Sequence, residues 1–189
     1  ELFPVVAPQT EPKKGHLMTD TKPRVGERIE PITLPMVGSD EMVVIGGDKP
    51  RWTMFFVYRG RHCPRCKRFL NKLNAVLSDW SKHMEIVVAS ADTAEKATAD
   101  QAEFGWDFDL CSGLQENQMR ALGLYVSSPL SEAETKANFA EPGAFALRPD
   151  GSLMLVDISN GPAARPDLEE LLDGMIFNIT NDRPVRGIV

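Results

Sequence analysis

Apolar positions along the chain follow two alternating rhythms. Short apolar runs at Ile32–Leu34 and Met42–Ile45 predict strands, the second closed by Gly46-Gly47. Trp52–Tyr58 (WTMFFVY) is apolar or aromatic almost throughout, which predicts a central strand buried on both faces. After Arg59-Gly60 the rhythm changes. Phe69, Leu70, Leu73, Val76, Leu77 and Trp80 recur at helical spacing, so Pro64–Trp80 reads as one amphipathic helix packed on the sheet. Glu85–Ala89 is the next strand. Asp92-Thr93-Ala94-Glu95 then predicts a helix with Asp92 as its N-cap and Gly105 as its stop.

Trp106–Leu110 reads as a strand and Glu116–Leu122 as a short helix halted by Gly123. Ser128-Pro129 breaks the chain, and Ser131-x-x-Glu134 offers the start of a small inserted helix. Gly143–Leu147 and Leu153–Ile158 are strands joined by the turn Pro149-Asp150-Gly151, and Asp167–Ile179 closes the chain as a helix after Pro166. The alternation predicts an α/β class: a parallel sheet flanked by helices, with a late hairpin adding antiparallel strands.

Composition narrows the class. The 189 residues are 42% hydrophobic and 25% charged, ordinary values for a globular protein. The length favours a single domain, assigned to residues 18–189, whose core needs no disulfide or metal staple. The apolar run Met54–Val57 is far short of the ~20 residues that cross a bilayer, which argues against a membrane protein. A net charge of −6 and a pI near 5.1 argue against a nucleic-acid partner, whose phosphates demand the opposite sign. Three cysteines exclude a secreted disulfide scaffold, and a cytoplasmic protein is expected. Residues 1–17 carry Pro4, Pro8 and Pro12 with no sustained period, and Gly15-His16-Leu17 precedes Met18. That stretch reads as a cloning leader, with a native Pro-rich arm as the alternative.

The chemistry lies in Cys63-Pro64-Arg65-Cys66, a C-x-x-C at a strand-to-helix junction. Cys63 falls at the helix start, where unpaired N–H groups and the dipole favour an anion. Pro64 occupies the first turn without losing a hydrogen bond, and Cys66 lies one turn inside, within disulfide reach. A free thiol with a pKa of ~8.5 becomes far more acidic in such a setting. Arg59, Arg61 and His62 flank Cys63 in the loop with no acid among them, so they are expected to stabilise its thiolate. Lys67 and Arg68 read as a solvated helix face.

Two other uses of the pair stay open. Half a zinc site would need further ligands from His16, His62, His83 and Cys111. Alternatively the two are buried structural thiols. Cys111 has no motif around it and reads as a small buried thiol, or else as a distant resolving cysteine.

The stretches FFVYRGRHCPRCKRFL, SADTAEKATADQAEFGWDFDLCSGLQENQMRALGLY and EPGAFALRPDGSL together resemble the peroxiredoxin-like branch of the redoxin superfamily, the alkyl hydroperoxide reductases and thiol-specific antioxidant proteins. The similarity covers about Val25 to Gly187. It implies a thioredoxin-like fold, a central mixed sheet flanked by helices, with the attacking thiol at Cys63 and its partner at Cys66. Peroxiredoxins carry P-x-x-x-T-x-x-C before that thiol, whereas Phe56 and Gly60 stand here at the Pro and Thr positions. Where they place an Arg before a later strand, this chain has Pro142, as thioredoxins do. Glu141-Pro142 is therefore expected to be a cis pair, and Gly60, Glu141 and Pro142 to line the substrate groove.

The resemblance implies a thiol-dependent oxidoreductase that needs no metal or organic cofactor. Cys63 would attack a peroxide or a protein disulfide, and a thioredoxin-type or low-molecular-weight thiol would regenerate it. A homodimer is compatible with this reading. Two alternatives remain open, a non-catalytic binding module with a redox-sensitive pair and a zinc-binding structural protein.

Overall fold

A computed structural model describes residues 23–189, so the reading of residues 1–17, like His16, lies outside the described residues. The chain runs β1 (Ile32–Pro35), β2 (Met42–Ile45), β3 (Trp52–Val57), α1 (Pro64–Ala75), α2 (Leu77–Ser81), β4 (Met84–Ala89), α3 (Ala94–Phe104), β5 (Asp109–Cys111) and α4 (Glu116–Ala121). It continues through β6 (Val126–Ser127), β7 (Phe139–Ala140), β8 (Gly143–Leu147), β9 (Leu153–Ile158) and α5 (Leu168–Thr180).

A five-stranded sheet in the order β5-β4-β3-β8-β9 forms the centre. The neighbours β3, β4 and β5 run parallel, while β8 and β9 add the antiparallel hairpin. This is the mixed α/β sheet expected, with WTMFFVY as its middle strand. Five of the six residues of β3 are buried because helices or loops cover both faces. One face packs Phe69, Leu70 and Leu73 of α1, Trp80 of α2 and Met175 of α5. The other packs Ile32, Leu34 and Ile45 of the β1–β2 hairpin with Met119 of α4.

Several elements depart from their predicted form, each for a tertiary reason. The single helix Pro64–Trp80 breaks at Val76 (φ −109°, ψ 10°), whose N–H turns back to Leu73 and Asn74. That break aims Trp80 at Phe56, edge to face at 5.9 Å. The N-cap of α3 is Thr93 and not Asp92, because the Asp92 carboxylate is drawn to the Arg61 backbone N–H. Trp106 and Phe108 alternate like strand residues, but α1 takes their hydrogen bonds: Trp106 Nε1 donates to Asn71 and Asp107 N to Asn74. The ladder therefore begins only at Asp109.

Ser131–Glu134 forms a turn and not a helix, since Glu134 reaches across to Arg59. The short β6–β7 pair, Val126 with Ala140 and Ser127 with Phe139, has no strand signal in the sequence pattern. Glu141-Pro142 is trans, as is every described peptide bond, which corrects the expected cis pair. Trans is the intrinsic preference for X-Pro, and it continues the extended run from β7 into β8.

Candidate active site

The loop from β3 to α1 is built around Gly60. Its φ of +124° excludes ordinary side chains, and an added Cβ would sit 2.6 Å from Asp92 Oδ2. That close approach matters because the same Asp92 oxygen accepts from Arg61 N at 2.6 Å, pinning the loop. The Gly60 carbonyl accepts from Cys63 N at 3.1 Å, so the chain turns directly into the helix. Cys63 is the N-cap of α1, and its Sγ accepts from Cys66 N at 3.3 Å. Pro64 opens the helix, whose first turn contains no acid. Both thiols are unpaired and buried in one apolar cluster.

Electrostatics separates the two sulfurs. Cys63 is lowered to about 6, first by the hydrogen bond from the Cys66 thiol, then by the Cys66 backbone N–H and the charge and N–H groups of Arg59, all against burial. Cys66 is pushed well up by burial and by donating to Cys63, while Arg165 opposes both. The arrangement holds one thiolate and one proton between two sulfurs.

The expected cations take up different posts. Arg59 is the one whose charge favours the Cys63 thiolate. Its Nη2 donates to Glu134 Oε1 at 3.2 Å, its Nε lies 3.4 Å from Glu141 Oε2, and its guanidinium covers the Phe139 ring at 4.7 Å. Arg61 turns instead to α3, paired with the fully buried Asp100 side chain and, at 2.8 Å, with Glu103. Lys67 also approaches Asp100, at 3.7 Å. His62 packs on Phe139 at 4.6 Å, and burial and the Arg59 charge lower its pKa, which disfavours a charged imidazole beside the thiolate. Glu141 belongs to the Arg59 pair and accepts from Ser127 Oγ at 2.7 Å. Pro142 faces a small cavity shared with Phe56, Phe69 and Arg165.

Two participants were invisible as motifs. Along the chain Glu134 carries only a helix-start signal, Ser131-x-x-Glu134. Arg165 lies 99 residues beyond Cys66, yet its Nη2 donates to Cys66 Sγ at 2.9 Å. Its only local signal was a lone cation inside the Pro162–Pro166 loop. Arg165, with Arg65, Arg68, Lys72, Asp167 and Glu169, lines an open groove of about 690 Å³ that also takes in Phe69 and Val76.

Among the described residues no three His, Cys, Asp or Glu side chains converge as metal ligands, so the zinc alternative finds no donor set there. Cys111 is buried in the cluster on the opposite face of the sheet.

The sequence model of the AhpC/TSA family matches residues 25–156. No curated protein matches the chain significantly. Among solved structures, a peroxiredoxin-like protein from Aquifex aeolicus superposes with a TM-score of 0.70 at 15% identity, over 82% of this chain and 88% of its own. Peroxidoxin BcpB from Mycobacterium tuberculosis gives 0.65 at 14% identity, over 86% and 99%. AhpC from Enterococcus faecalis gives 0.65 at 17%, over 86% and 98%. The fold is thus the thioredoxin-like fold of those proteins.

Proposed function

The chain belongs to the AhpC/TSA family of thiol-dependent peroxidases, and we propose that Cys63 is its attacking thiol and Cys66 its resolving one. The observation that carries this is the Cys63 sulfur itself. It caps α1 at 3.3 Å from Cys66 N, beside Arg59, and is lowered to about 6. A thiolate attacks the peroxide O–O bond and becomes a sulfenic acid, which condenses with the second thiol to a Cys63–Cys66 disulfide. Arg59, held in place by Glu134 and Glu141, supplies positive charge beside the thiolate, while the hydroxyl of the usual Thr has no counterpart at Gly60.

An external thiol then reduces the disulfide. A small thiol or a thioredoxin-type protein would approach through the groove where four cations, Arg65, Arg68, Lys72 and Arg165, outnumber the two acids Asp167 and Glu169. The same reading includes a cytoplasmic location, a homodimer and a single domain over residues 18–189. Among the described residues no helix is long and apolar enough to cross a membrane.

Thiol–disulfide exchange is the second reading. Phe56 and Gly60 replace the Pro and Thr that assist peroxide, while a C-x-x-C in one helical turn suits exchange. Stopped-flow oxidation of the reduced protein by hydrogen peroxide decides between them. A rate far above that of free cysteine supports peroxide reduction. A gain of only ~30-fold at pH 7 is what the thiolate fraction alone supplies. That result, beside rapid reduction of a protein disulfide, would favour exchange.

A further inference from the structure

Arg165 is held in an unusual position for a guanidinium. Its Nη2 lies 2.9 Å from the buried Cys66 Sγ, its Nε donates to the Pro162 carbonyl at 3.3 Å, and its plane covers Phe69 at 4.6 Å. Pro162 and Pro166 bracket the segment and limit its freedom. Among the described residues Arg165 has no carboxylate within ion-pair distance, whereas Arg59 and Arg61 each have two. A neutral thiol is a weak acceptor, and a thiolate is the group such a cation suits.

We propose that Arg165 is a catalytic residue of the resolving step, stabilising the Cys66 thiolate that attacks oxidised Cys63. The proposal rests on the peroxide-reduction reading above.

The charge changes make the timing clear. In the reduced pair Cys66 donates to the Cys63 thiolate, and together with burial this keeps its proton on. Cys63, having given its own proton to solvent, attacks the peroxide as thiolate, and the O–O bond breaks. The expelled alkoxide or hydroxide takes one proton back from solvent to leave as alcohol or water, giving Cys63 Sγ–OH. The negative charge beside Cys66 has vanished, and Arg165 remains. The Cys66 proton departs, Cys66 Sγ⁻ attacks Cys63 Sγ, the S–O bond breaks, and hydroxide leaves as water with that proton. Two thiols and one peroxide become one disulfide, one alcohol and one water.

Arg165→Met and Arg165→Lys, made in the full chain, test this by single-turnover oxidation. Loss of Cys63 thiolate to peroxide should proceed in both within about twofold of wild type, which also reports an intact fold. In Arg165→Met the disulfide should form roughly tenfold more slowly, because the acidity that Cys66 loses is only partly offset by its greater nucleophilicity. Dimedone-trapped sulfenic acid should accumulate, and the pH midpoint of the second step should rise. Arg165→Lys should restore part of the rate and return the midpoint towards wild type. Wild-type resolution in Arg165→Met, with Cys63 still oxidised, overturns the role of Arg165 alone. A wild-type Cys63 that peroxide does not oxidise overturns the peroxide reading with it.

Discussion

The two faces of the central sheet each bury a thiol, and the two are driven in opposite directions. Cys63 is 1% exposed and lowered to about 6, whereas Cys111 is 0% exposed and raised to about 12. Burial alone raises both, so it does not explain the difference. Around Cys63, donors converge: the Cys66 thiol, the Cys66 backbone N–H and Arg59. Around Cys111, burial comes first and the Asp109 carboxylate adds to it, with only Lys49 opposing. The groups aimed at the sulfur therefore decide which thiol of this fold favours the thiolate, and burial without them holds the proton on.

The largest expected effect removes one thiol from each face. Cys63→Ser should cut peroxide consumption by about 10³-fold or more, as loss of a nucleophile does. Cys111→Ser should leave it within about twofold. Oxidised wild type, mapped by peptide mass spectrometry, should carry a Cys63–Cys66 disulfide and a free Cys111. A Cys63–Cys111 linkage would break the contrast, since those two sulfurs lie in clusters on opposite faces.

The contrast also sets opposite slopes of stability against pH for the reduced protein. The folded pKa of Cys63, about 6, lies below the unfolded value of ~8.5, so its contribution is complete above ~8.5 and lost as pH falls through 6. The folded pKa of Cys111, about 12, lies above the unfolded value, so its contribution is complete below ~8.5 and lost as pH rises towards 12. Urea melts in a Cys66→Ser background, where the pair no longer titrates jointly, should show this. The deficit of Cys63→Ala should grow from pH 6 to 8.5, by at most ~1.4 kcal/mol per unit. The deficit of Cys111→Ala should shrink above pH 8.5. Parallel slopes would mean that both thiols answer to burial alone.

Arg59 carries a smaller share. Arg59→Met should raise the Cys63 midpoint by about one unit, the equivalent of one modest charge-assisted contact. Oxidation by peroxide should then fall several-fold at pH 6.5 and recover by pH 9. Thiolate absorbance against pH reads the shift. An unmoved midpoint would assign the acidity to the helix start and Cys66 without Arg59.

How much of this contrast could be read along the chain depends on distance in sequence. Cys63 at a helix start follows from local rules: a continuous apolar strand, a Gly break, Pro in the first turn and the stripe Phe69, Leu70, Leu73. The left-handed Gly105 after α3 is local in the same way. Arg59, Arg61 and His62 were legible as neighbours of Cys63 but not in their orientations. Arg61 is claimed by Asp100, thirty-nine residues away, and His62 packs on Phe139, where burial and the Arg59 charge lower its pKa. Arg165 lies outside any local pattern, because its contact with Cys66 exists only once α5 and α1 share a face of the sheet. The ends of elements failed likewise wherever a distant side chain took the backbone, as Asn74 does at Asp107.

The smallest effect tests the inert side. Asp109 stands two residues before Cys111 on β5 and raises its pKa, but burial is the larger cause. The Asp109 carboxyl is itself raised, chiefly by burial and then by Glu85. Replacing it with Asn keeps shape and polarity and removes only the charge. In a Cys63→Ser, Cys66→Ser background, where Cys111 is the remaining thiol, Asp109→Asn should lower its pKa by less than about one unit. Alkylation by iodoacetamide at pH 8 should rise no more than a few-fold and stay far slower than in unfolded protein. Rapid alkylation in the folded variant would show that a single carboxylate, and not burial, had kept this thiol silent. The difference between the two faces would then lie in charge throughout.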